Sequence, residues 1–339
     1  MKNVLFASTA LVAFGFAGAS FAQNANIAIS GDAELGLTYQ DTDATEGSGD
    51  AIRVHNDYEV SFALTGVTDG GISFGATGVF LDDSEATDTS AFISGAFGTI
   101  TGGDTNGAFD QAMIEVAGGG LADEADFYLE GSVLGTVDLG DDGFDGAVDD
   151  NADNAADITG DAQIIRYDLA LAAATFSVSY EDGEDEDGGS DVNAYGIGAN
   201  FDLGDFANVG IAYQTLAGDG DLDGSQVFGI SGSTELGGVE LTATYSFADI
   251  ESEANGDDEE FNIAASAEFS LGAAGVGVNI DYNEADETDA EALGYGAFME
   301  YDLGGGADFV AAIGYQETEE AGSDDVDELR VGAGIGMSF

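Results

Sequence analysis

Apolar and polar residues alternate along most of this 339-residue chain. In the segment GVELTATYSF, for example, Leu241 and Tyr245 fall on one face and Thr242 and Thr244 on the other. Such period-2 alternation is typical of half-buried β-strands. Sixteen segments of this kind are predicted, at 26–40, 51–66, 72–82, 89–95, 99–104, 163–170, 175–182, 192–201, 206–216, 226–235, 239–249, 259–269, 276–286, 292–301, 309–316 and 328–339.

The connections between these segments alternate between two kinds. One kind is short and glycine-containing, such as DLGD and ELGG, and the other is long and acidic, such as EDGEDEDGGSD and ETEEAGSDDVD. The chain has 53 glycines and no proline, which suits strands joined by glycine turns. Short connections at one edge and long ones at the other indicate an up-and-down antiparallel sheet.

The apolar faces distinguish a soluble sandwich from a membrane barrel. Many of them end in Tyr or Phe, whereas the polar faces are rich in Gly, Ala and Ser. An apolar outer band with aromatic margins and a polar interior is typical of transmembrane barrels, and ~10 tilted residues span the hydrocarbon layer. Closure also removes sheet edges, which lipid cannot satisfy. The predicted fold is therefore all-β, a transmembrane antiparallel up-and-down barrel of sixteen strands.

The end of the chain agrees with closure of the barrel. Alternation continues to Phe339, although a soluble terminus usually frays and is polar. If the sixteenth strand pairs with the first, the last residue is still part of the sheet. Phe339 is then expected at the aromatic margin of the short-turn rim.

Three blocks carry a resemblance to a known family: FISGAFGTITGGD at 92–104, IIRYDLALAAATFSVSYEDG at 164–183 and the terminal VGAGIGMSF. They resemble the general diffusion porins of Gram-negative outer membranes, especially the alphaproteobacterial type. The resemblance implies an outer-membrane channel for passive diffusion of ions and small hydrophilic solutes. It also implies a homotrimer, and recognition of Phe339 by the outer-membrane assembly machinery.

Residues 1–22 have the composition of a secretory leader. They combine one Lys, an apolar stretch and small residues before Gln23, which predicts a cleaved signal peptide and a single barrel domain at 23–339. No later segment has the ~18 apolar residues of a membrane-spanning helix.

Composition excludes several functions. A net charge of −64 argues against a nucleic-acid partner, because phosphates attract Lys and Arg. The chain has no Cys and one His, so an enzyme with a side-chain nucleophile is not expected. Disorder does not fit a chain that is 44% hydrophobic.

The segment 105–162 does not alternate, and loops of this length are functional or disordered. The resemblance implies that it folds into the barrel as a constriction loop; the alternative is an external acidic loop. Its stretch GAFDQAMIEVAGG is expected to form a short helix with Phe109, Met113 and Ile114 against the inner wall. The acids that could line the constriction are Asp110, Glu115, Asp123, Glu124 and Asp126.

Four basic residues fall on the lumen side of their strands: Arg53, His55, Arg166 and Arg330. The resemblance implies that they form the constriction wall, with Arg166 facing water and contributing more to the pore than to the fold. An Arg facing lipid costs ~2–4 kcal/mol at mid-depth, so this placement by itself supports a barrel. The bases are few for this family, and the acid excess predicts a cation preference.

A metal site is the remaining candidate. Asp219, Asp221 and Asp223 with Gly224 resemble the opening of an EF-hand loop, but the twelfth position is Ile230 instead of Glu. Weak binding of Ca²⁺ and simple solvation of the loop both stay open, and no other cofactor is predicted. The alternative function is a secreted acidic, calcium-stabilised β-rich surface protein, although its nonapeptide repeat is absent from the sequence.

Overall fold

The structure is a computed structural model. It describes residues 26–42, 51–80, 86–121, 163–182, 192–204, 206–218, 222–251, 257–286, 290–319 and 325–339. The leader and the first mature residues therefore lie outside the described residues, as does most of the long loop.

Sixteen antiparallel strands close into one barrel in which each strand pairs with its neighbours in sequence, and β1 pairs with β16. This confirms the predicted fold, and each boundary lies within three residues of the prediction. The strands are β1 Asn26–Thr42, β2 Ala51–Val67, β3 Ser73–Phe80, β4 Ala86–Gly95, β5 Gly98–Gly103, β6 Gln163–Leu171, β7 Ala174–Asp182, β8 Val192–Asp202, β9 Asn208–Gly218, β10 Gln226–Leu236, β11 Val239–Ile250, β12 Asp258–Leu271, β13 Ala274–Ala285, β14 Ala290–Asp302, β15 Ala307–Glu319 and β16 Val326–Ser338.

The outer face of the barrel is apolar. Ile27 is 71% exposed and Ile52 is 75% exposed, and their same-face neighbours are also aliphatic or aromatic. Aromatic pairs reinforce this face, with ring centroids 5.2 Å apart for Tyr295 and Tyr315. Such a continuous apolar exterior would be costly in water and suits the hydrocarbon layer. Within the described residues, no helix is long and apolar enough to cross a membrane.

The chain terminus lies in the sheet, as predicted. The N–H of Phe339 donates to the carbonyl of Gly31 at 2.8 Å, and the N–H of Ser338 donates to that of Gly306 at 2.8 Å. Gly306 belongs to the short connection between β14 and β15, so Phe339 lies at the short-turn rim. Its side chain is 81% exposed on the outer face, beside Ile29 and Tyr58.

Candidate pore constriction

The first part of the long loop lies inside the barrel. Residues 107–121, here called the constriction segment, follow β5 and contact the inner wall from β7 onward. The segment is extended apart from a single 3₁₀ turn at Asp110–Ala112, so the predicted short helix is limited to that turn. Its buried side chains are those of Ala108, Phe109, Ala112, Met113, Val116 and Leu121.

Wall hydroxyls and amides meet the backbone of the constriction segment. Two Asn side chains, Asn200 on β8 and Asn279 on β13, donate to the carbonyls of Ala112 and Ala117 at 3.2 Å each. Three backbone N–H groups donate to serine hydroxyls: Ala108 to Ser179 at 2.9 Å, Ile114 to Ser231 at 2.8 Å and Ala117 to Ser266 at 3.0 Å. Because an extended segment cannot satisfy its own backbone, these side chains supply what a sheet partner would.

Glycines on the wall allow the segment to approach closely. A Cβ on Gly210 would lie 2.1 Å from the carbonyl oxygen of Ala112, which no real side chain could tolerate. A Cβ on Gly229 would lie 2.7 Å from both Met113 and Phe109. The predicted packing of Phe109 and Met113 against the wall is thus confirmed, whereas Ile114 is only half-buried.

The start of the loop is held by Arg166 on β6. Its Nε donates to the Asp168 carboxylate at 3.1 Å, and its Nη1 donates to the backbone carbonyl of Asn106. Ser177 donates to the same carboxylate at 2.7 Å. Arg166 is on the lumen face, as the alternation predicts, but it is 2% exposed. The expectation that it faces water is therefore wrong, because the loop folds over it and uses its guanidinium as an anchor.

Two other predicted bases have carboxylate partners on neighbouring lumen positions. His55 Nε2 lies 3.0 Å from Glu34 Oε2, linking β2 to β1. Arg330 Nε donates to Glu328 at 2.6 Å, and Gln40 donates to the same carboxylate at 2.6 Å.

Arg53, the fourth base, lies on the same face of β2 as His55, nearer the long-loop end of the strand, and its side chain is exposed.

The acids of the constriction segment remain partly accessible. Asp110 and Glu115 are half-buried, whereas the residues between them that contact the wall are buried. The other predicted loop acids lie outside the described residues: Asp123, Glu124 and Asp126.

The path of the segment decides which part of the wall borders the remaining lumen. Its contacts run from β7 through β8, β9, β10, β12 and β13 to Phe298 on β14 and to the seam of β1 and β16. In chain order from Ala108 to Leu121 the contacts pass from one strand to the next, so the segment follows the wall along this arc. These contacts do not include β2–β5. Arg53 and His55 lie on that part of the wall, Arg166 lies beneath the start of the loop on β6, and Arg330 lies on β16.

The candidate calcium loop is described only in part. Asp223 accepts a hydrogen bond from the N–H of Gly218 at 3.0 Å and so closes the connection between β9 and β10. Asp219 and Asp221 lie outside the described residues. Among the residues that are described, no group of three or more His, Cys, Asp or Glu side chains could hold a metal ion.

A closed sixteen-stranded barrel with an apolar exterior, a polar interior and an infolded segment defines the class of transmembrane channels formed by β-barrels. The sequence matches the Gram-negative porin family over residues 7–321. The chain belongs to that family.

Solved structures agree on the fold. A porin refined at 1.8 Å resolution is 22% identical and superposes with a TM-score of 0.65. An anion-selective porin from Comamonas acidovorans is 14% identical with a TM-score of 0.72, and a triple mutant of the Rhodopseudomonas blastica porin is 17% identical with a TM-score of 0.62. Each comparison covers 93% of this chain and 100% of the other. A search of curated proteins finds no match.

Family and fold together give the location and general activity. The protein is a porin channel of the Gram-negative outer membrane, and members of this family are channels and not enzymes. They do not favour the alternative of a secreted, calcium-stabilised surface protein.

Proposed function

We propose that the barrel conducts ions and small hydrophilic solutes by passive diffusion, with a preference for cations. The observation that carries the preference is the pairing of the wall bases. Arg166 and Arg330 each lie within 3.1 Å of a carboxylate on the same wall, so their charge is largely compensated, and His55 lies 3.0 Å from the Glu34 carboxylate.

Several carboxylates near the short-turn rim lie opposite each other instead of opposite a base. No Lys, Arg or His occurs between Arg166 and Arg330. Three carboxylate pairs at the short-turn rim are direct cross-strand partners: Asp32 with Glu59, Glu240 with Glu268, and Asp302 with Asp308. The last two pairs lie in the part of the chain that has no basic residue. Opposed like charges repel each other, so mobile cations are attracted to this end of the lumen.

The anion-selective relative does not decide the sign for this chain. At 14% identity the likeness concerns the fold alone, and the charges of the lumen differ freely between such distant barrels. Selectivity here follows from this chain's own excess of Asp and Glu, which number 68 against four Lys and Arg.

The test is the zero-current potential of the protein in a planar bilayer under a KCl gradient. The Debye length is ~10 Å at 0.1 M salt and ~3 Å at 1 M, so a clear potassium preference in dilute KCl should fade in molar KCl. A chloride preference in dilute KCl would overturn the proposal and assign the selectivity to the four wall bases.

Gly210→Ala separately tests the narrowing role of the constriction segment. The added methyl would meet the Ala112 carbonyl and move the segment into the lumen, lowering single-channel conductance. The matched control is Gly232→Ala on the outer face of the adjacent strand, where a Cβ meets only the Asn208 carbonyl at 3.5 Å. Equal conductance in both variants would contradict the narrowing role.

Resemblance to the family supports three further proposals. The leader 1–22 is removed, which intact mass of membrane-extracted protein tests through an N-terminus at Gln23. The assembly is a homotrimer, which cross-linking in the membrane tests. Phe339 serves the outer-membrane assembly machinery, so Phe339→Lys should reduce the amount of folded barrel in the membrane, and normal levels would contradict that role.

Weak Ca²⁺ binding at Asp219, Asp221 and Asp223 also remains a proposal. Isothermal titration with CaCl₂ should give heat that Asp221→Asn and Asp223→Asn reduce. Identical titrations of the variant and the unaltered protein would exclude this loop as the site.

A further inference from the structure

The last described residue of the constriction segment reaches the seam where the barrel closes. Leu121 is 0% exposed. Its side chain fits between Gly36 on β1 and Gly334 on β16, which are direct partners across the seam. A Cβ on Gly36 would lie 2.3 Å from Leu121 Cδ2, and one on Gly334 would lie 2.8 Å from Leu121 Cδ1. We call this space the seam notch.

The seam notch is made by both ends of the barrel. Gly36 belongs to the first strand and Gly334 to the last, so the notch exists only when β1 and β16 are paired. Pairs between chain ends form late because they carry the largest loop-closure cost. Leu121 therefore has a buried position only in the closed barrel.

The start of the long loop is held by contacts that do not involve the seam. Arg166 on β6 donates a hydrogen bond to the Asn106 carbonyl, and Ser179 on β7 accepts a hydrogen bond from the N–H of Ala108. The constriction segment is thus anchored at its start by polar contacts and at residue 121 by an apolar contact. Loss of the second anchor would free the segment from the β1–β16 side of the wall.

We propose that Leu121 is a positioning residue whose insertion into the seam notch couples the constriction to barrel closure. The contact fixes the position of the segment in the pore and, in return, stabilises the β1–β16 pairing. This inference rests on the proposed narrowing role of the segment. No charge or catalytic chemistry is involved, only packing of one leucine against two strands.

The experiment compares Leu121→Ala with the unaltered full-length protein. Two changes are expected together. The single-channel current should be noisier with a changed mean conductance, and the barrel should unfold at a lower temperature, as seen from its mobility on a gel. Ile114→Ala is the matched control, because Ile114 lies in the same segment but is only half-buried. Leu121→Met conserves volume and should retain both properties.

The notch can also be filled from the strand side. Gly334→Ala should displace Leu121, whereas Gly336→Ala, on the same face of β16, places its Cβ 3.8 Å from Val310 and should be neutral. Because a Cβ on Gly334 also lies 2.5 Å from the Leu35 carbonyl, this variant could fail to fold for that reason alone. The Leu121 variants, which leave both strands unaltered, therefore decide the question.

The outcomes separate this inference from the proposed function. If Leu121→Ala changes current but leaves the unfolding temperature unaltered, or the reverse, the coupling is wrong. If it changes neither while Gly210→Ala still lowers conductance, the narrowing role stands and the coupling through Leu121 is refuted. If neither Leu121→Ala nor Gly210→Ala affects current, the narrowing role itself fails.

Discussion

The two sides of the lumen wall differ in chemistry although both are built by the same alternation. Strands β7–β14, the covered arc, present glycines, serines and asparagines to the constriction segment. Strands β2–β5, the open arc, carry Arg53 and His55, and Arg166 lies on β6 beneath the start of the loop. The covered arc has to accept a backbone at close range, so it needs small residues and hydrogen-bonding groups. The open arc holds the more accessible bases, whereas charged side chains of the covered arc such as Glu260 and Asp281 are buried.

This difference shows that a porin wall specifies the position of its infolded segment as well as the barrel. An extended segment gains from the wall only if its N–H and C=O groups find partners and its backbone fits. The spacing of Gly210, Gly229 and Ser231 meets both needs on two adjacent strands.

The largest expected effect distinguishes the buried base Arg166 from the partly exposed base His55. Arg166→Met removes one partner of a buried pair and leaves Asp168 uncompensated, so we expect a loss of ~3–5 kcal/mol in the free energy of unfolding. Urea unfolding in lipid vesicles measures it. His55→Gln disrupts a pair that is partly exposed, and its cost should be at most ~1 kcal/mol. Equal losses would mean that Arg166 is no anchor.

The next effect concerns overpacking of the covered arc. Gly210→Ala should cost ~1–3 kcal/mol in the free energy of unfolding, in addition to its lower conductance, because the methyl has to displace the Ala112 carbonyl. Gly232→Ala should stay close to the unaltered protein in the same urea titration. A destabilised Gly232→Ala would show that any added methyl on these strands is harmful, which would remove the contrast.

A single hydrogen bond of the covered arc should contribute less. Ser231→Ala leaves the N–H of Ile114 without its acceptor, at a cost of ~1 kcal/mol, and should increase the noise of the open-channel current. Ser233→Ala, two residues further on the same face of β10, is the control and should leave the current quiet. Matching noise in both variants would remove the role of Ser231.

The sequence alone predicts the barrel, because the alternation of apolar and polar residues is visible within each strand. Alternation identified all sixteen strands, and the terminal Phe339 indicated closure. The strand face on which each basic residue lies also followed from the alternation, since a charge on the outer face would meet lipid. These inferences need only the residue itself and its immediate neighbours.

The constriction required contacts that no local pattern contains. Burial of Arg166 depends on Asn106, sixty residues earlier, and the need for Gly210 depends on Ala112. One signal was available: Asp168 lies two residues after Arg166, hence on the same strand face, which indicates an ion pair. The expected helix failed because the wall satisfies the backbone of an extended segment, so no helix is needed.

The smallest expected effect is on the open arc. His55→Ala removes the imidazole that lies 3.0 Å from Glu34 Oε2 and so makes this carboxylate more accessible to mobile cations in the lumen. The zero-current potential in dilute KCl should shift slightly toward potassium, and the shift should vanish in molar KCl because of screening. A shift toward chloride would contradict the assignment of selectivity to lumen carboxylates.

The most direct test of the central claim is the accessibility of the constriction segment from the pore. The chain contains no Cys, so Gln111→Cys and Val116→Cys each introduce a unique thiol, at a half-buried and a buried position. We predict that thiosulfonate reagents reduce the current of Gln111→Cys only, and that a cationic reagent reacts faster than an anionic one. Equal reaction at Val116→Cys, or faster reaction of the anionic reagent, would contradict the account.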